Sequence, residues 1–305
     1  MGPARETPIL SHYTMQGKFS LLNWSLLMLL VFLWGTSFMF VAISIRSVDP
    51  VTVVFGRIVI GALILVSMVY ARGLRLPVAL GDWAALCVLG LMGNVLPFML
   101  ITWGQLSVNS GIAGMIMATM PLITMILAHF FVEGENLNAW KVAGVTLGLG
   151  GITLLLGPVF EGGGQAVLGG IAIFFAASSY AVNTILIRRL PQFNPLVGSA
   201  GMLVAASVLL LPLWLMNADL SMANVSTGSL YAVIWLGIGP TAAASLVLFA
   251  VIERAGPTFL STINYMIPVV AFFAGAWILS EPVALSSLLA LVIILCGIAF
   301  TRIRA

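Results

Sequence analysis

The chain has 305 residues, of which 61% are hydrophobic and 7% are charged, and its mean hydropathy is +1.17. Soluble domains carry roughly 25% charged residues because their surfaces face water, so this composition excludes an ordinary soluble protein. The net charge is only +3, and the aromatic residues lie inside apolar runs rather than among basic residues, which argues against a nucleic-acid partner.

Apolar runs of about 20 residues recur along the chain, as a hydrocarbon core of about 30 Å requires of a spanning helix. The runs are continuous rather than alternating, which favours helices over a β-barrel. The sequence therefore predicts an all-α integral membrane protein whose surface contacts the lipid bilayer. After a polar N-terminal tail, residues 1–20, ten transmembrane spans are predicted at about 22–45, 51–70, 83–105, 110–131, 138–156, 167–188, 195–216, 229–252, 257–279 and 283–302.

A stretch in the fourth predicted span, residues 109–135, recurs in the ninth, at residues 256–281. Each copy is rich in small residues, has a proline near its middle and ends at a glutamate. Pro121 and Pro268 are 147 residues apart (268 − 121), and the two glutamates are 146 apart (281 − 135). So constant an offset indicates duplication.

We therefore predict two five-helix repeats, at residues 21–158 and 159–305. Two of the twelve Lys and Arg residues, Arg46 and Arg57, fall on the side of the membrane opposite the N-terminus, and ten fall on the N-terminal side. Those ten are Arg5, Lys18, Arg72, Arg75, Lys141, Arg188, Arg189, Arg254, Arg302 and Arg304. This bias predicts that both termini are cytoplasmic. Because five is odd, the second repeat enters from the opposite side, which is the inverted arrangement typical of transporters.

Several motifs in order resemble a known family. They are the sequence WGTSF at residues 34–38, Phe55-Gly56-Arg57, and the stretch from Pro121 to Glu135 that leads into GVTLGLGGITLLL. Together they resemble the EamA-type pattern of the drug/metabolite transporter superfamily, over residues 25 to 302. Within it, the chain is most similar to bacterial inner-membrane exporters of aromatic amino acids. The resemblance implies ten helices around a central cavity, and alternating access between the repeats.

Polar and aromatic side chains within the spans are the candidates for substrate binding, because polar groups deep in a bilayer are costly. We expect the amides, hydroxyls and tyrosines to bind a zwitterionic group, and the aromatic and methionine side chains to accept an apolar one. The alternative is that such groups bond neighbouring helices or carbonyls freed by proline. The candidates are Asn94, Phe98, Thr102, Met117, Tyr180, Asn183, Ser245, Phe249, Asn264 and Tyr265.

Four further residues are candidates for gating. Pro97, Pro121 and Pro268 each remove a helical hydrogen bond, and each serves either as a hinge or as a static kink. Arg57 lies a turn or two into the second span. It either snorkels to the outer surface, attracts a substrate carboxylate at an outer vestibule, or forms part of a gate.

No Asp or Glu lies in the middle of a predicted span. This departs from the small four-helix multidrug members of the superfamily, whose proton coupling rests on an embedded glutamate, and it favours gradient-driven or exchange transport. We find no metal-ligand cluster, nucleotide loop or nucleophile–base motif, so we predict neither an enzyme nor a cofactor.

We predict an exporter of small amphipathic metabolites, most of all aromatic and large apolar amino acids, in a bacterial inner membrane. The alternatives are a multidrug exporter of cationic compounds and, in a different class, a membrane-embedded enzyme or lipid-handling protein. Because both repeats lie in one chain, a monomer can form the whole pathway and a dimer is not required.

Overall fold

The computed structural model describes residues 20–132, 134–135, 137–161, 163–217 and 224–301. The predicted N-terminal tail lies outside these residues except for Ser20, as do four of the basic residues used for the orientation, Arg5, Lys18, Arg302 and Arg304. In the described part of the chain every regular element is a helix, so the predicted all-α fold class is confirmed.

Helices occupy the positions of the predicted spans. Seven are long and apolar enough to cross a membrane, and the described part also contains three shorter apolar segments at Ala139–Leu155, Ile263–Ile278 and Leu285–Phe300. The helices are α1 Leu21–Ser44, α2 Pro50–Ala71, α3 Leu80–Gly104, α4 Ser110–Phe131, α5 Ala139–Glu161, α6 Gly163–Arg189, α7 Pro195–Asn217, α8 Thr227–Leu260, α9 Ile263–Ile278 and α10 Leu285–Phe300.

The second helix of each half begins in the same way. Asp49 Oδ1 accepts a hydrogen bond from Thr52 N at 2.9 Å, and Pro50 occupies the first turn of α2. Asn194 Oδ1 accepts from Leu196 N at 3.1 Å, and Pro195 begins α7. A short polar acceptor before a proline satisfies one unbonded N–H while the proline needs none, so both helices start at a fixed residue.

Two helices contain a π-helical segment, Leu91–Val95 in α3 and Gly237–Ala243 in α8. Prolines account for both. Pro97 has no N–H to donate to Met92 O, five residues earlier, and Ser179 Oγ on α6 donates to that carbonyl at 2.7 Å instead. In α8, Pro240 cannot bond Leu236 O, and Thr241 Oγ1 donates to it at 2.7 Å.

Two more interruptions lie within the two copies of the repeated stretch. Helix α4 is broken into Ser110–Met117 and Met120–Phe131, with Pro121 in the first turn after the break. At Gly256, φ is +80°, so the chain turns there and Pro257–Leu260 starts a new element before α9. Pro268 lies buried within α9.

Most of the helix pairs recur when each helix is exchanged for the one five places away. Helix α1 packs on α9 and α8, whereas α6 packs on α4 and α3. In the same way α2 packs on α8 and α3 on α7. The pairs α2–α7, α4–α9 and α5–α10 each join two helices that are five places apart, so the exchange leaves them unchanged. One apolar core centres on α4, α9 and α10 and also includes residues of α1, α3, α5 and α6, and another centres on α2, α3 and α7. Tyr180 on α6 packs against both cores.

Candidate functional site

Arg57 is buried between α2, α3 and α8, and only 5% of it is exposed. Its Cζ lies 3.7 Å from the centroid of the Phe98 ring, and its Nε donates to Thr241 Oγ1 at 3.3 Å. The snorkelling interpretation of Arg57 is therefore wrong. Because the aromatic ring and the hydroxyl of the π-helical segment hold the guanidinium, it points inward rather than out to the membrane surface.

No carboxylate lies within ion-pair distance of Arg57 in the part of the chain that the structure describes; the ion pairs found there involve Glu135. A charged side chain at the centre of a membrane helix costs about 2.5–3.5 kcal/mol, and such residues usually pair with an acidic group or serve a substrate pathway. Arg57 thus resembles a binding group more than a structural ion-pair partner.

Of the predicted binding residues, Phe98 contacts Arg57, and three others lie on the same helix as Phe98 or on α6, which packs against that helix. Phe98 stacks under the Arg57 guanidinium, and Asn94 is buried one turn earlier, within the π-helical segment of α3. Tyr180 on α6 packs against the apolar core that contains Phe98. One turn beyond Tyr180, the Asn183 amide packs so closely on Gly93 that a Cβ there would lie 2.6 Å from Nδ2.

We refer to Arg57, Asn94, Phe98, Tyr180, Asn183 and Thr241 as the central cluster. Asn183 is 8% exposed, and its Oδ1 has no hydrogen-bond partner among the described residues. The cluster therefore presents a guanidinium, two aromatic rings and two amides from different helices. Thr241 was absent from the predicted set, although a threonine directly after Pro240 was a signal that it bonds a freed carbonyl and marks a helix irregularity.

The other predicted binding residues lie outside the surroundings of Arg57, and several of them bond their own helix or pack in the apolar core. Ser245 Oγ donates to Thr241 O of its own helix at 2.7 Å, and Thr102 is fully buried with no partner for Oγ1 in the described chain. Tyr265 packs against the core of α4, α9 and α10, and its hydroxyl donates to Ile298 O at 3.1 Å. Met117 packs against the same core; Phe249 and Asn264 are half-buried.

The cluster has the chemistry to bind a small molecule that carries an anionic group beside an aromatic or apolar one. The guanidinium offers N–H donors for a carboxylate, and the rings of Phe98 and Tyr180 offer a stacking surface. The described residues contain no group of three or more His, Cys, Asp or Glu side chains that would hold a metal ion. Binding here would thus rest on Arg57, the amides and the aromatic rings.

Comparison with known proteins gives matches along nearly the whole chain. A family model described as the EamA-like transporter family matches twice, over residues 22–157 and 167–303. The Escherichia coli uncharacterized inner membrane transporter YedA is 24% identical over 278 residues, covering 90% of this chain and 88% of YedA. The Bacillus subtilis uncharacterized transporter YoaV is 22% identical over 268 residues, covering 87% of this chain and 91% of YoaV.

A WAT1-related chloroplastic protein of Arabidopsis thaliana is also similar, with 25% identity over 278 residues. The match covers 87% of this chain and 66% of the plant protein, so the chain spans about two thirds of that relative. One crystal structure aligns with a TM-score of 0.66 at 23% identity, covering 92% of this chain and 96% of the other. That likeness shows a shared fold.

Proposed function

The chain belongs to the EamA-like transporter family, within the drug/metabolite transporter superfamily, and from this premise we propose that it exports small amphipathic metabolites. It is a multi-pass membrane transporter, and its proposed substrates are amino acids with aromatic or large apolar side chains. They would cross through a central cavity by alternating access between the two halves. We also propose that the transporter works in a bacterial inner membrane, as the name of the similar YedA suggests.

The proposed architecture is ten transmembrane helices in two inverted repeats, 21–158 and 159–305, with both termini cytoplasmic. The helix pairing supports it, since most contacts between helices recur when five is added to or subtracted from the helix numbers. The two matches of one family model also support it. The orientation rests on the bias of Lys and Arg toward the side of the termini.

The buried Arg57 carries the assignment of substrate class. A guanidinium that has no acidic partner among the described residues, and that stacks on an aromatic ring, suits a ligand with a carboxylate and a ring or apolar chain. Asn94 and Asn183 would bind the ammonium end through their amide oxygens. A multidrug exporter of cations would instead place a carboxylate in this position, because a buried Arg repels cationic compounds.

The test is uptake of labelled tryptophan, phenylalanine and methionine into proteoliposomes, with and without an imposed pH gradient, and with protein-free liposomes as the control. We expect uptake that stops at equilibration and does not respond to the pH gradient. Accumulation driven by protons would contradict gradient-driven transport. Absence of uptake for all three amino acids, by protein that is assembled in the liposomes, would overturn the substrate class.

A further inference from the structure

A carboxylate from the second half of the chain binds the N-terminus of α4 in the first half. Glu281 follows α9, and its Oε1 accepts a hydrogen bond from Ser110 N at 2.8 Å while Oε2 accepts from Gly111 N at 3.0 Å. The first N–H groups of a helix have no partner within the helix, and its dipole favours an anion there. Glu281 thus joins the two halves at one end of the molecule, which we call the Glu281 end.

Small residues make room for this contact. A Cβ at Gly275 would overlap the Glu281 carboxylate, and a Cβ at Gly111 would lie 3.4 Å from Oε2. The turn before Glu281 is held by a hydrogen bond from Glu281 N to Gly275 O at 3.1 Å, with Ser280 at φ +56°. The backbone therefore aims the carboxylate at α4.

The first half also has a left-handed residue before its glutamate, but Glu135 N bonds Val132 O at 3.3 Å, and the carboxylate of Glu135 has other partners than that of Glu281. Gly134, with φ +82°, precedes Glu135 as Ser280 precedes Glu281, 146 residues later (280 − 134). The Glu135 carboxylate lies 3.9 Å from both Lys141 Nζ and Arg188 Nη1, and 46% of its side chain is exposed. Charge pairs this long and this exposed contribute little stability.

Helices α4 and α9 are close at the Glu281 end and diverge at the other, which we call the Glu135 end. Near Glu281, a Cβ at Gly111 would lie 3.2 Å from Phe272 Cα, and one at Gly114 would overlap Ala271. The first half of α4, Ser110–Met117, packs against α9, whereas its second half packs against α6. The structure is therefore closed between these helices at the Glu281 end.

We propose that Glu281 and Glu135 are reciprocal latches of the transport cycle. In the state seen here Glu281 holds the Glu281 end shut and Glu135 is released. In the opposite state Glu281 leaves α4, and Glu135 leaves Lys141 and Arg188 to bind the start of the element that begins at Pro257. This inference rests on the alternating access of the proposed function but not on its substrate.

Each glutamate has an arginine nearby that suits its released position. Arg188 lies at the end of α6 and already contacts Glu135, and Arg46, just past the end of α1, lines a crevice of about 300 Å³ together with Glu281. Gln105 lines the same crevice and is 6% exposed, with no partner for either amide atom among the described residues. A released Glu281 would find Arg46 and Gln105 there.

The two latches differ in strength because of one residue. Ser110, which donates to Glu281, corresponds to Pro257, 147 residues later (257 − 110), and proline has no N–H. Gly111 corresponds to Thr258, so Glu135 would gain one backbone donor where Glu281 has two. The closed Glu281 end is consequently favoured at rest.

The test measures how fast a membrane-impermeant maleimide labels a cysteine at Val108, which is buried in the crevice at the Glu281 end. The protein carries Val108→Cys with Cys87→Ala and Cys296→Ala, and sits in lipid nanodiscs, so that both faces meet the reagent. Glu281→Gln weakens two charge-assisted hydrogen bonds and should raise the labelling rate about tenfold. Glu135→Gln alone should leave it at or below the parent rate.

The double variant separates a latch from a merely structural cap. If the glutamates act reciprocally, adding Glu135→Gln to Glu281→Gln destabilises the opposite state and lowers the labelling rate toward that of the parent. If Glu281 only stabilises the fold, the double variant labels as fast as the single variant or faster. An unchanged rate in Glu281→Gln, with the protein still eluting as an assembled species, would also overturn the proposal. None of these outcomes depends on which substrate is carried.

Discussion

The two halves of the molecule interrupt their helices at matching places but carry different side chains there. The π-helical segments Leu91–Val95 and Gly237–Ala243 begin 146 residues apart (237 − 91), and each has a carbonyl bonded by the first helix of the other half. Yet Arg57 of α2 corresponds to Met202 of α7, 145 residues later (202 − 57), as Pro50 corresponds to Pro195. The interruptions of the backbone thus recur in both halves, whereas the buried guanidinium occurs in the first half alone among these corresponding positions.

The largest expected effect is a loss of transport when Arg57 is substituted. Its counterpart in the second half, Met202, carries no charge. Arg57→Gln removes the carboxylate partner, and losing one member of a buried charge pair costs about 2–5 kcal/mol, so uptake of labelled tryptophan should fall about 30-fold or more. The melting temperature should hold or rise, because the variant no longer buries a charge.

Met202→Gln is the matched control in the second half, and its uptake should stay within about twofold of the parent. Equal losses in both variants would mean that the site is symmetric and that Arg57 has no special role. A fall in melting temperature with Arg57→Gln would indicate a structural charge instead.

The next effect concerns the glycine beside the bound glutamate. In Gly275→Ala the added Cβ displaces the Glu281 carboxylate from α4, and hydrogen bonds to charged groups contribute about 1.5–3 kcal/mol each. We expect the melting temperature to fall by about 5 °C or more.

The corresponding residue of the first half is already an alanine, Ala128, 147 residues earlier (275 − 128). Ala128→Gly should cost no more than the helix-propensity difference of about 1 kcal/mol. A larger loss there would remove the distinction between the two ends.

A smaller effect is expected at the π-helical segments. Ser179→Ala removes the bond to Met92 O, and Trp34→Phe removes the bond that Trp34 Nε1 donates to Pro240 O at 3.1 Å. Each should lower the free energy of unfolding by about 1 kcal/mol. Ser178 is the control, since its Oγ bonds Phe174 O within α6 at 3.0 Å, and Ser178→Ala should change stability by less than about 0.5 kcal/mol. Equal effects of the two serines, measured by thermal unfolding, would refute the special role of the freed carbonyl.

The smallest effect tests the turns that precede the two glutamates. Ser280 adopts φ +56°, a left-handed conformation that strains a non-glycine residue. Because glycine loses about 0.5–1 kcal/mol more entropy on folding, most of this gain is offset, and Ser280→Gly should raise the melting temperature only slightly. Gly134→Ser places the same strain in the first half and should lower it by a similar amount. Opposite signs are the expected result, and a decrease in both would show that Ser280 has a compensating contact.

Local features of the fold were readable from the sequence, and long-range ones were not. Apolar runs located the helices, and Asp49-Pro50 and Asn194-Pro195 located two helix starts, because capping depends on neighbouring residues. The proline positions indicated irregular helices, but their π-helical form depends on Ser179, 87 residues from the carbonyl that it bonds.

The candidate site shows the same division. Asn94 and Asn183 were predicted because a polar amide is costly within a membrane span, and both lie in the central cluster. The direction of Arg57 was not predictable, because it is set by Thr241, 184 residues away. The contact between Glu281 and α4 joins residues 171 positions apart, and no pattern within either segment specifies that partner.

The most direct test of the account is competition against labelled tryptophan in proteoliposomes by two analogues, indole-3-propionate and tryptamine. The first keeps the carboxylate and lacks the ammonium group, and the second keeps the ammonium group and lacks the carboxylate. If Arg57 binds the substrate carboxylate, indole-3-propionate competes and tryptamine does not, and Arg57→Gln abolishes the difference. Competition by tryptamine that equals or exceeds that of indole-3-propionate would contradict the central role of the buried guanidinium.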